Sequence, residues 1–190
     1  AYEQAIRINP GYSLAQTNLG ILLVKQGGFD RAAEVFRSAL QLDPDSVEAL
    51  NGYAYVNFLR GNLAEAREFN AKALVLRPDD PSNLELNAQI LSRTGDLESA
   101  LVSAQKGVRL DPNHASLLNT LGAIEFMRGD LNSAKDSYER ALRVQPKFLE
   151  ALVNLGDTLK RLGDVAGAEE NYRRAAEIRG AAGGGAGGAV

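Results

Sequence analysis

One spacing dominates this sequence of 190 residues, because three residue types recur every 34 residues in the same phase. The recurring residues are Pro10, Pro44, Pro78, Pro112 and Pro146; Gly27, Gly61, Gly95, Gly129 and Gly163; and Ala32, Ala66, Ala100, Ala134 and Ala168. A fixed period of roughly 20–50 residues indicates structural repeats that bury their apolar faces against their neighbours. The spacing therefore predicts a stacked array.

Each period contains two amphipathic stretches separated by the recurring glycine. In the fourth period, residues 115–128 have apolar residues at helical spacing, Gly129 follows, and a second stretch runs over residues 131–144. Glycine adopts the positive φ that ends a helix, and proline closes the second helix because it lacks a backbone N–H. Side chains directly after four glycines are expected to cap the second helix, and these are Asn62, Asp96, Asp130 and Asp164. Each repeat is thus predicted to be a helix–turn–helix hairpin.

Small residues occupy one position of every first helix, and these are Gly20, Ala54, Ala88, Gly122 and Gly156. Three second helices carry an aromatic residue four positions after the recurring alanine: Phe36, Tyr138 and Tyr172. Small side chains allow two helices to approach closely, and the large ones are expected to fill the remaining volume.

The combined pattern resembles the tetratricopeptide repeat family. The matching residues are Leu19-Gly20, Leu121-Gly122 and Leu155-Gly156, the pairs Ala32/Phe36, Ala134/Tyr138 and Ala168/Tyr172, and the closing prolines. The resemblance covers about residues 1–179, although the family's tryptophan is replaced by Gln16 and by leucine in the other repeats. It implies an all-α fold, a right-handed α-solenoid of stacked helix–turn–helix hairpins.

The repeat phase also divides the chain. Residues 1–12 align with the end of a repeat and are expected to be the second helix of an incomplete N-terminal hairpin. Residues 13–179 form five tandem repeats in this interpretation, and the last helix, ending at Arg179, is polar enough to cap the array. Residues 180–190 contain mostly glycine and alanine and are predicted to be a flexible tail.

Composition argues against several functions. A net charge of −3 makes nucleic acid a poor partner, and no apolar run is long enough for direct membrane insertion. The chain has no cysteine and one histidine, which argues against thiolate or histidine-rich metal sites. It also lacks phosphate-binding loops and nucleophile motifs, so we expect no cofactor and no catalysis. Nothing in the sequence assigns a compartment.

The resemblance implies that first helices line the inner surface of the array and that this surface holds peptides. The residues expected to line this groove vary between repeats, and they are Thr17, Ile21, Glu48, Asn51, Tyr55, Glu85, Gln89, Ser116, Asn119 and Asp157. Amide side chains such as Asn51 can pair with the backbone of an extended peptide, and Tyr55 with Ile21 can supply an apolar pocket.

The predicted function is therefore a non-catalytic scaffold that binds a segment or a helix of a protein partner. One alternative is homotypic assembly, in which the N-terminal edge with Tyr2, Ala5 and Ile6 stacks on a second copy. Another is an accessory substrate-binding array of an enzyme, such as a glycosyltransferase, whose catalytic domain lies outside this sequence.

A last feature concerns two first helices. Leucine stands at positions 23, 91 and 159, but Asn57 and Glu125 take this place in the second and fourth repeats, each followed by phenylalanine. This pattern predicts that the apolar face of these two helices is rotated by about one residue. Phe58 and Phe126 are then either core residues, which we favour, or apolar spots on the surface.

Overall fold

The computed structural model describes residues 2–9 and 11–184, and it contains helices and no strand in these two ranges. The helices, in chain order, are α1 (Tyr2–Ile8), α2 (Ser13–Lys25), α3 (Phe29–Leu42), α4 (Val47–Leu59), α5 (Leu63–Leu76), α6 (Pro81–Arg93), α7 (Leu97–Leu110), α8 (Ala115–Arg128), α9 (Leu131–Val144), α10 (Leu149–Leu162) and α11 (Val165–Gly184). The predicted all-α fold is confirmed.

The chain divides into two units, Ala1–Thr94 and Gly95–Val190. In the first unit, α2 packs against α3 and α4 against α5, while α2 also contacts α4 and α4 contacts α6. In the second unit, α8 packs against α9 and α10 against α11, and α8 contacts α10. Within each unit, therefore, first helices lie side by side and form one face.

The recurring glycines end the first helices as expected. All five have positive φ values, between 76° and 88°, which side chains with a Cβ adopt at a cost. The capping prediction is correct for Asp96 and Asp164, whose carboxylates accept backbone N–H bonds from Ser99 and Gly167.

The same prediction is wrong for two residues that have other partners. The Asn62 amide donates to the Asn57 side chain at 3.1 Å, and Asp130 pairs with Arg128 at 3.3 Å. Neither side chain caps its helix.

Close helix approach depends on glycine facing an aromatic ring. A Cβ on Gly20 would lie 2.7 Å from the Cε1 atom of Phe36, and one on Gly122 would lie 2.8 Å from Cε1 of Tyr138. Gly156 stands in the same relation to Tyr172, at 2.5 Å. Since carbon atoms in contact need more than 3 Å, these rings occupy space that any side chain would require.

The expected rotation of α4 and α8 is wrong. Asn57 is fully buried and Glu125 is 8% exposed, so the core-facing position is the same as in the leucine repeats. Both polar side chains have partners: Asn57 donates to the Tyr53 carbonyl oxygen at 3.0 Å, and Glu125 accepts from the Ser137 hydroxyl at 2.6 Å. Hydrogen bonding offsets part of the cost of burying them.

Phe58 and Phe126, expected in the core, are only partly buried. The guanidinium carbon of Arg93 lies 4.9 Å from the centroid of the Phe58 ring, and that of Arg161 lies 4.7 Å from the centroid of the Phe126 ring. Each ring therefore has a cation over its face instead of a full covering of apolar atoms.

The last helix is longer than the sequence indicated. Helix α11 continues past the expected end at Arg179 to Gly184. Extending an existing helix adds one hydrogen bond per residue without a new nucleation step, and alanine favours it. The rest of the predicted tail, residues 185–190, lies outside the described residues.

The close approach of α2 and α3 predicts a large effect for Gly20→Ala. The added methyl group must displace Phe36, so we expect the free energy of unfolding to fall by roughly 1–3 kcal/mol. Urea denaturation followed by circular dichroism measures this change.

Gly180→Ala is the matched control, because a Cβ on this helical glycine meets nothing within 4 Å. We expect it to be neutral or stabilising by up to about 1 kcal/mol. Equal effects of the two substitutions would contradict the packing described for Gly20.

Candidate functional site

The first unit contains a cavity of about 640 Å³ on the face formed by its first helices. Four of the predicted groove residues line it: Ile21, Glu48, Asn51 and Tyr55. Ser82, which the repeat phase also places on the inner surface, lines it as well, as does Lys25 at the end of α2, and the lining residues that the sequence did not indicate include Val24, Arg77, Asp80 and Asn83. We call this cavity the α4 groove, because α4 contributes the central residues.

One side of the α4 groove is apolar. Ile21 and Tyr55 are 39% and 38% exposed, and Val24 adds a third apolar wall. Gly52 leaves room for the buried Phe36 ring beneath it, since a Cβ at Gly52 would overlap that ring. The apolar lining can therefore accept a hydrophobic side chain of a ligand.

Amide groups form an ordered polar part of the lining next to these apolar residues. The Asn51 Nδ2 atom donates to Asn83 Oδ1 at 2.6 Å, and Asp80 fixes Asn83 by accepting its backbone N–H at 3.0 Å. The buried Asn70 amide donates to the Asn83 carbonyl oxygen at 3.1 Å. Asn83 Nδ2 is buried and has no hydrogen-bond partner within the described residues.

The hydrogen bond between Asn70 and Asn83 is specific to the second repeat, because the residue at position 70 differs from its counterparts in other repeats. Asn70 stands where the first, fourth and fifth repeats have Phe36, Tyr138 and Tyr172, so a polar amide replaces an aromatic ring. This exception in the repeat pattern is the signal from which the Asn70–Asn83 contact could have been anticipated.

The α4 groove also carries charges. Arg77 Nη1 lies 2.7 Å from Glu48 Oε1, and this hydrogen bond holds the pKa of Glu48 below its ordinary value. Lys25, at the apolar side, has no carboxylate partner within the part of the chain that the structure describes. The groove thus contains one neutralised pair, the cation of Lys25, and the carboxylate of Asp80, which accepts the backbone N–H of Asn83.

The prediction for Thr17 is wrong, because this side chain is only 1% exposed and does not line the cavity. Its hydroxyl donates to the Ser13 carbonyl oxygen at 3.1 Å within α2. A threonine can be buried in a helix when its hydroxyl bonds to the preceding turn, and the sequence pattern did not reveal this.

Glu85 and Gln89 lie on α6, both half-buried, and neither lines the α4 groove. The Gln89 amide donates to the Glu85 carboxylate at 3.3 Å. These two residues are therefore linked by a hydrogen bond along one turn of α6.

The remaining predicted residues belong to the second unit. Ser116 and Asn119 lie half-buried on α8, and Asp157 is exposed on α10. Asn154 donates to Asn119 at 3.0 Å, and the Tyr172 hydroxyl donates to Asp157 at 2.6 Å. In this unit, as in the first, an amide pair joins neighbouring first helices.

Residues 2–9 and 11–184 contain no group of three or more histidine, aspartate and glutamate residues arranged to hold a metal ion. Among these residues there is also no helix with the length and hydropathy needed to cross a bilayer.

Two family models with the same description match the chain. A model described as "Tetratricopeptide repeat" matches residues 17–81 and 128–185, and a second model of the same description matches residues 87–114. No curated protein matches the chain.

Solved structures are similar over most of the chain. A thermophilic TPR protein of Thermus thermophilus, TTC0263, has a TM-score of 0.79 at 24% identity, covering 87% of this chain and 91% of its own. Pseudomonas aeruginosa pilF has a TM-score of 0.77 at 22% identity, with 87% and 76% covered. YrrB, described as a TPR protein with an unusual peptide-binding site, has a TM-score of 0.64 at 23% identity, with 94% and 92% covered. At these identities the similarity establishes the fold, the predicted α-solenoid.

The Glu48–Arg77 contact predicts a change in titration. In Arg77→Met the pKa of Glu48 should rise toward its ordinary value, because the hydrogen bond that favours the carboxylate is lost. Carboxyl NMR titration measures this pKa, and Lys72→Met, which removes the partner of Glu68, is the control that should leave it unchanged.

The lowered pKa of Glu48 determines how its contact with Arg77 affects stability at different pH values. The Glu48 contact stabilises the folded state above the ordinary glutamate pKa, and this contribution is lost as pH falls through the lowered value. Since both side chains are about half exposed, we expect Arg77→Met to cost less than about 1 kcal/mol at neutral pH. An unchanged Glu48 pKa in this variant would contradict the contact.

Proposed function

The chain belongs to the tetratricopeptide repeat family, and from this premise we propose that it is a non-catalytic scaffold that holds a segment of a protein partner in the α4 groove. Its family and the neighbours with the same fold support a protein-interaction scaffold in general terms. The location of the site and the kind of segment are inferences from the residues of the groove.

The observation that carries the proposal is the composition of the α4 groove. The apolar side chains of Tyr55 and Ile21 and the ordered amide pair of Asn51 and Asn83 line the same cavity of about 640 Å³. Binding sites in proteins commonly combine apolar surface with a few fixed polar groups. The groove has both within one unit of the chain.

Each part of the groove has a distinct task in this proposal. The half-exposed Tyr55 contributes large contact area at a small entropic cost, because its ring has few rotatable bonds. The amide of Asn51 can donate to, or accept from, the backbone of an extended segment. Lys25 can pair with an acidic side chain near the inserted apolar residue.

The proposal extends in weaker form to the second unit. Asn119 occupies the position of Asn51 two repeats later, and it too bonds to an asparagine on the next first helix. Ser116 and Asp157 lie on the same two first helices. Ser116, Asn119 and Asp157 form a separate contact surface of the second unit in this proposal, and Glu85 and Gln89 of α6 add contacts in the first unit.

Two alternative functions predict other kinds of binding. Self-association through the N-terminal edge would give binding between copies that does not depend on the α4 groove. An accessory array of an enzyme would bind the enzyme's substrate in a longer protein. No contact within the described residues favours either alternative.

The test is the double substitution Asn51→Ala with Tyr55→Ala. Peptides are first selected from a displayed random library on the unaltered protein, and their affinities for the variant are then measured by calorimetry. We expect at least a tenfold loss of affinity, because an apolar anchor and an amide contact disappear together. Far-ultraviolet circular dichroism should be unchanged, since Tyr55 is on the surface and Asn51 half-buried.

Val75→Ala is the matched control, because Val75 is 82% exposed on α5 and does not line the groove. This variant should bind the selected peptides as the unaltered protein does. Peptides that bind the double variant with full affinity would show that the α4 groove is not the binding site.

A further inference from the structure

The second unit contains a cavity with an acidic floor, formed on α7, α8 and α9 and about 680 Å³ in volume. Leu121 and Glu125 of α8 lie at its base with Ser137 of α9, while Arg109 and Arg140 come from the two flanking helices. We call it the Glu125 cavity.

The next repeat contains the equivalent cavity, and this provides an internal comparison. It lies on α9, α10 and α11 with a volume of about 430 Å³, and eight of its ten lining residues follow lining residues of the first at a spacing of 34, among them Glu139 in the place of Gln105. The shared positions are Val108 and Leu142, Arg109 and Arg143, Leu121 and Leu155, Asp136 and Glu170, and Arg140 and Arg174. At the base, however, Leu159 replaces Glu125 and Asn171 replaces Ser137.

The comparison shows that the scaffold does not need a carboxyl group at this position. A leucine fills the site in the fifth repeat and is buried there, as are Leu23 and Leu91 in their helices. Burial raises the pKa of Glu125, which is the sign that its charged form is poorly solvated. Because a carboxyl group at this 8% exposed position loses its hydration, we expect Glu125 to be less stabilising than a leucine.

Glu125 also lacks a counter-ion. Its Oε2 atom accepts the Ser137 hydroxyl at 2.6 Å, but no lysine or arginine lies within ion-pair distance of it in the described residues. Arg140 lies 3.9 Å from Asp136, and Asp130 and Asp136 disfavour the ionised form of Glu125 while Arg140 favours it. A cation that enters the cavity can pair with this carboxylate, and the pair is favourable where its geometry offsets the desolvation of both charges.

We propose that the Glu125 cavity is a second binding site, additional to the α4 groove, and that it takes a lysine side chain of a protein segment. The methylene groups of the lysine would pack on Val108 and Leu121, and its ammonium group would pair with Glu125. This assignment goes beyond the proposed function, because it concerns different residues and a different ligand chemistry.

Lysine fits this site better than arginine. Ser137 already donates to Oε2, so the two parallel bonds of a guanidinium group would have to share this oxygen with the serine hydroxyl. An ammonium group needs only one oxygen and carries a compact charge on a long apolar stem.

The rim of the cavity adds a preference for acidic neighbours. Arg109 is exposed on α7 and has no carboxylate partner within the described residues. A glutamate next to the inserted lysine can pair with it. The expected motif is thus a lysine flanked by glutamates.

The test uses the full chain and the peptide acetyl-Ala-Glu-Lys-Glu-Ala-amide, with norleucine or arginine in place of the lysine as comparison peptides. Amide NMR shifts of the labelled protein are followed during titration. We expect shifts confined to α7, α8 and α9, with affinity at least tenfold lower for the norleucine peptide and lower for the arginine peptide.

Three variants locate the site. Glu125→Leu introduces the leucine found at this position in the neighbouring cavity, so this variant should melt at a higher temperature. Its affinity for the lysine peptide should fall at least tenfold. Glu125→Gln keeps the size of the side chain and should also lose binding, which provides the test if the leucine variant fails to fold. Glu170→Gln, in the neighbouring cavity, should bind as the unaltered protein does.

Several results would overturn the proposal. These are equal affinity for the lysine and norleucine peptides, binding retained in Glu125→Gln, shifts located in the first unit, or no binding of the lysine peptide at millimolar concentration. A Glu125→Leu variant that folds but melts at a lower temperature would contradict the premise that Glu125 is less stabilising than a leucine.

Discussion

The structure depends on an aromatic ring of a second helix occupying the place of a missing side chain on a first helix. Phe36 packs on Gly20, Tyr138 on Gly122 and Tyr172 on Gly156, each at a distance that excludes a Cβ. Glycine weakens a helix by about 1 kcal/mol relative to alanine, so its presence there reflects this packing. The contact sets the distance between the helices of each of these hairpins, and the positions of the remaining residues on the first helices follow from it.

The candidate sites lie where the repeated packing changes. Asn70 replaces the aromatic residue in the second repeat, and it holds Asn83, which in turn holds Asn51 at the α4 groove. Glu125 replaces a leucine in the fourth repeat and gives a carboxyl group to the base of a cavity whose counterpart one repeat later has Leu159 at this position. A repeat protein can vary single positions in this way because each repeat is supported by its neighbours.

Much of the fold could be predicted from the sequence, because its determinants are local and repeated. The prolines, the glycines with positive φ and the small residues at the hairpin contacts are visible as a period of 34. The errors concern polar residues whose partners are not periodic. Thr17 is buried because its hydroxyl bonds to Ser13, and Glu125 remains in the core because Ser137 accompanies it. The role of Asn83 depends on Asn51 and Asn70, which lie on two other helices.

The central claim is that a peptide lies in the α4 groove, and site-specific photo-crosslinking tests it most directly. A benzophenone amino acid is placed at Tyr55, in the groove, or at Val75, on the exposed side of α5, and each protein is irradiated with a peptide selected on the unaltered chain. The account predicts efficient cross-linking from position 55 and little from position 75. Equal cross-linking from both positions, or cross-linking from position 75 alone, would contradict it.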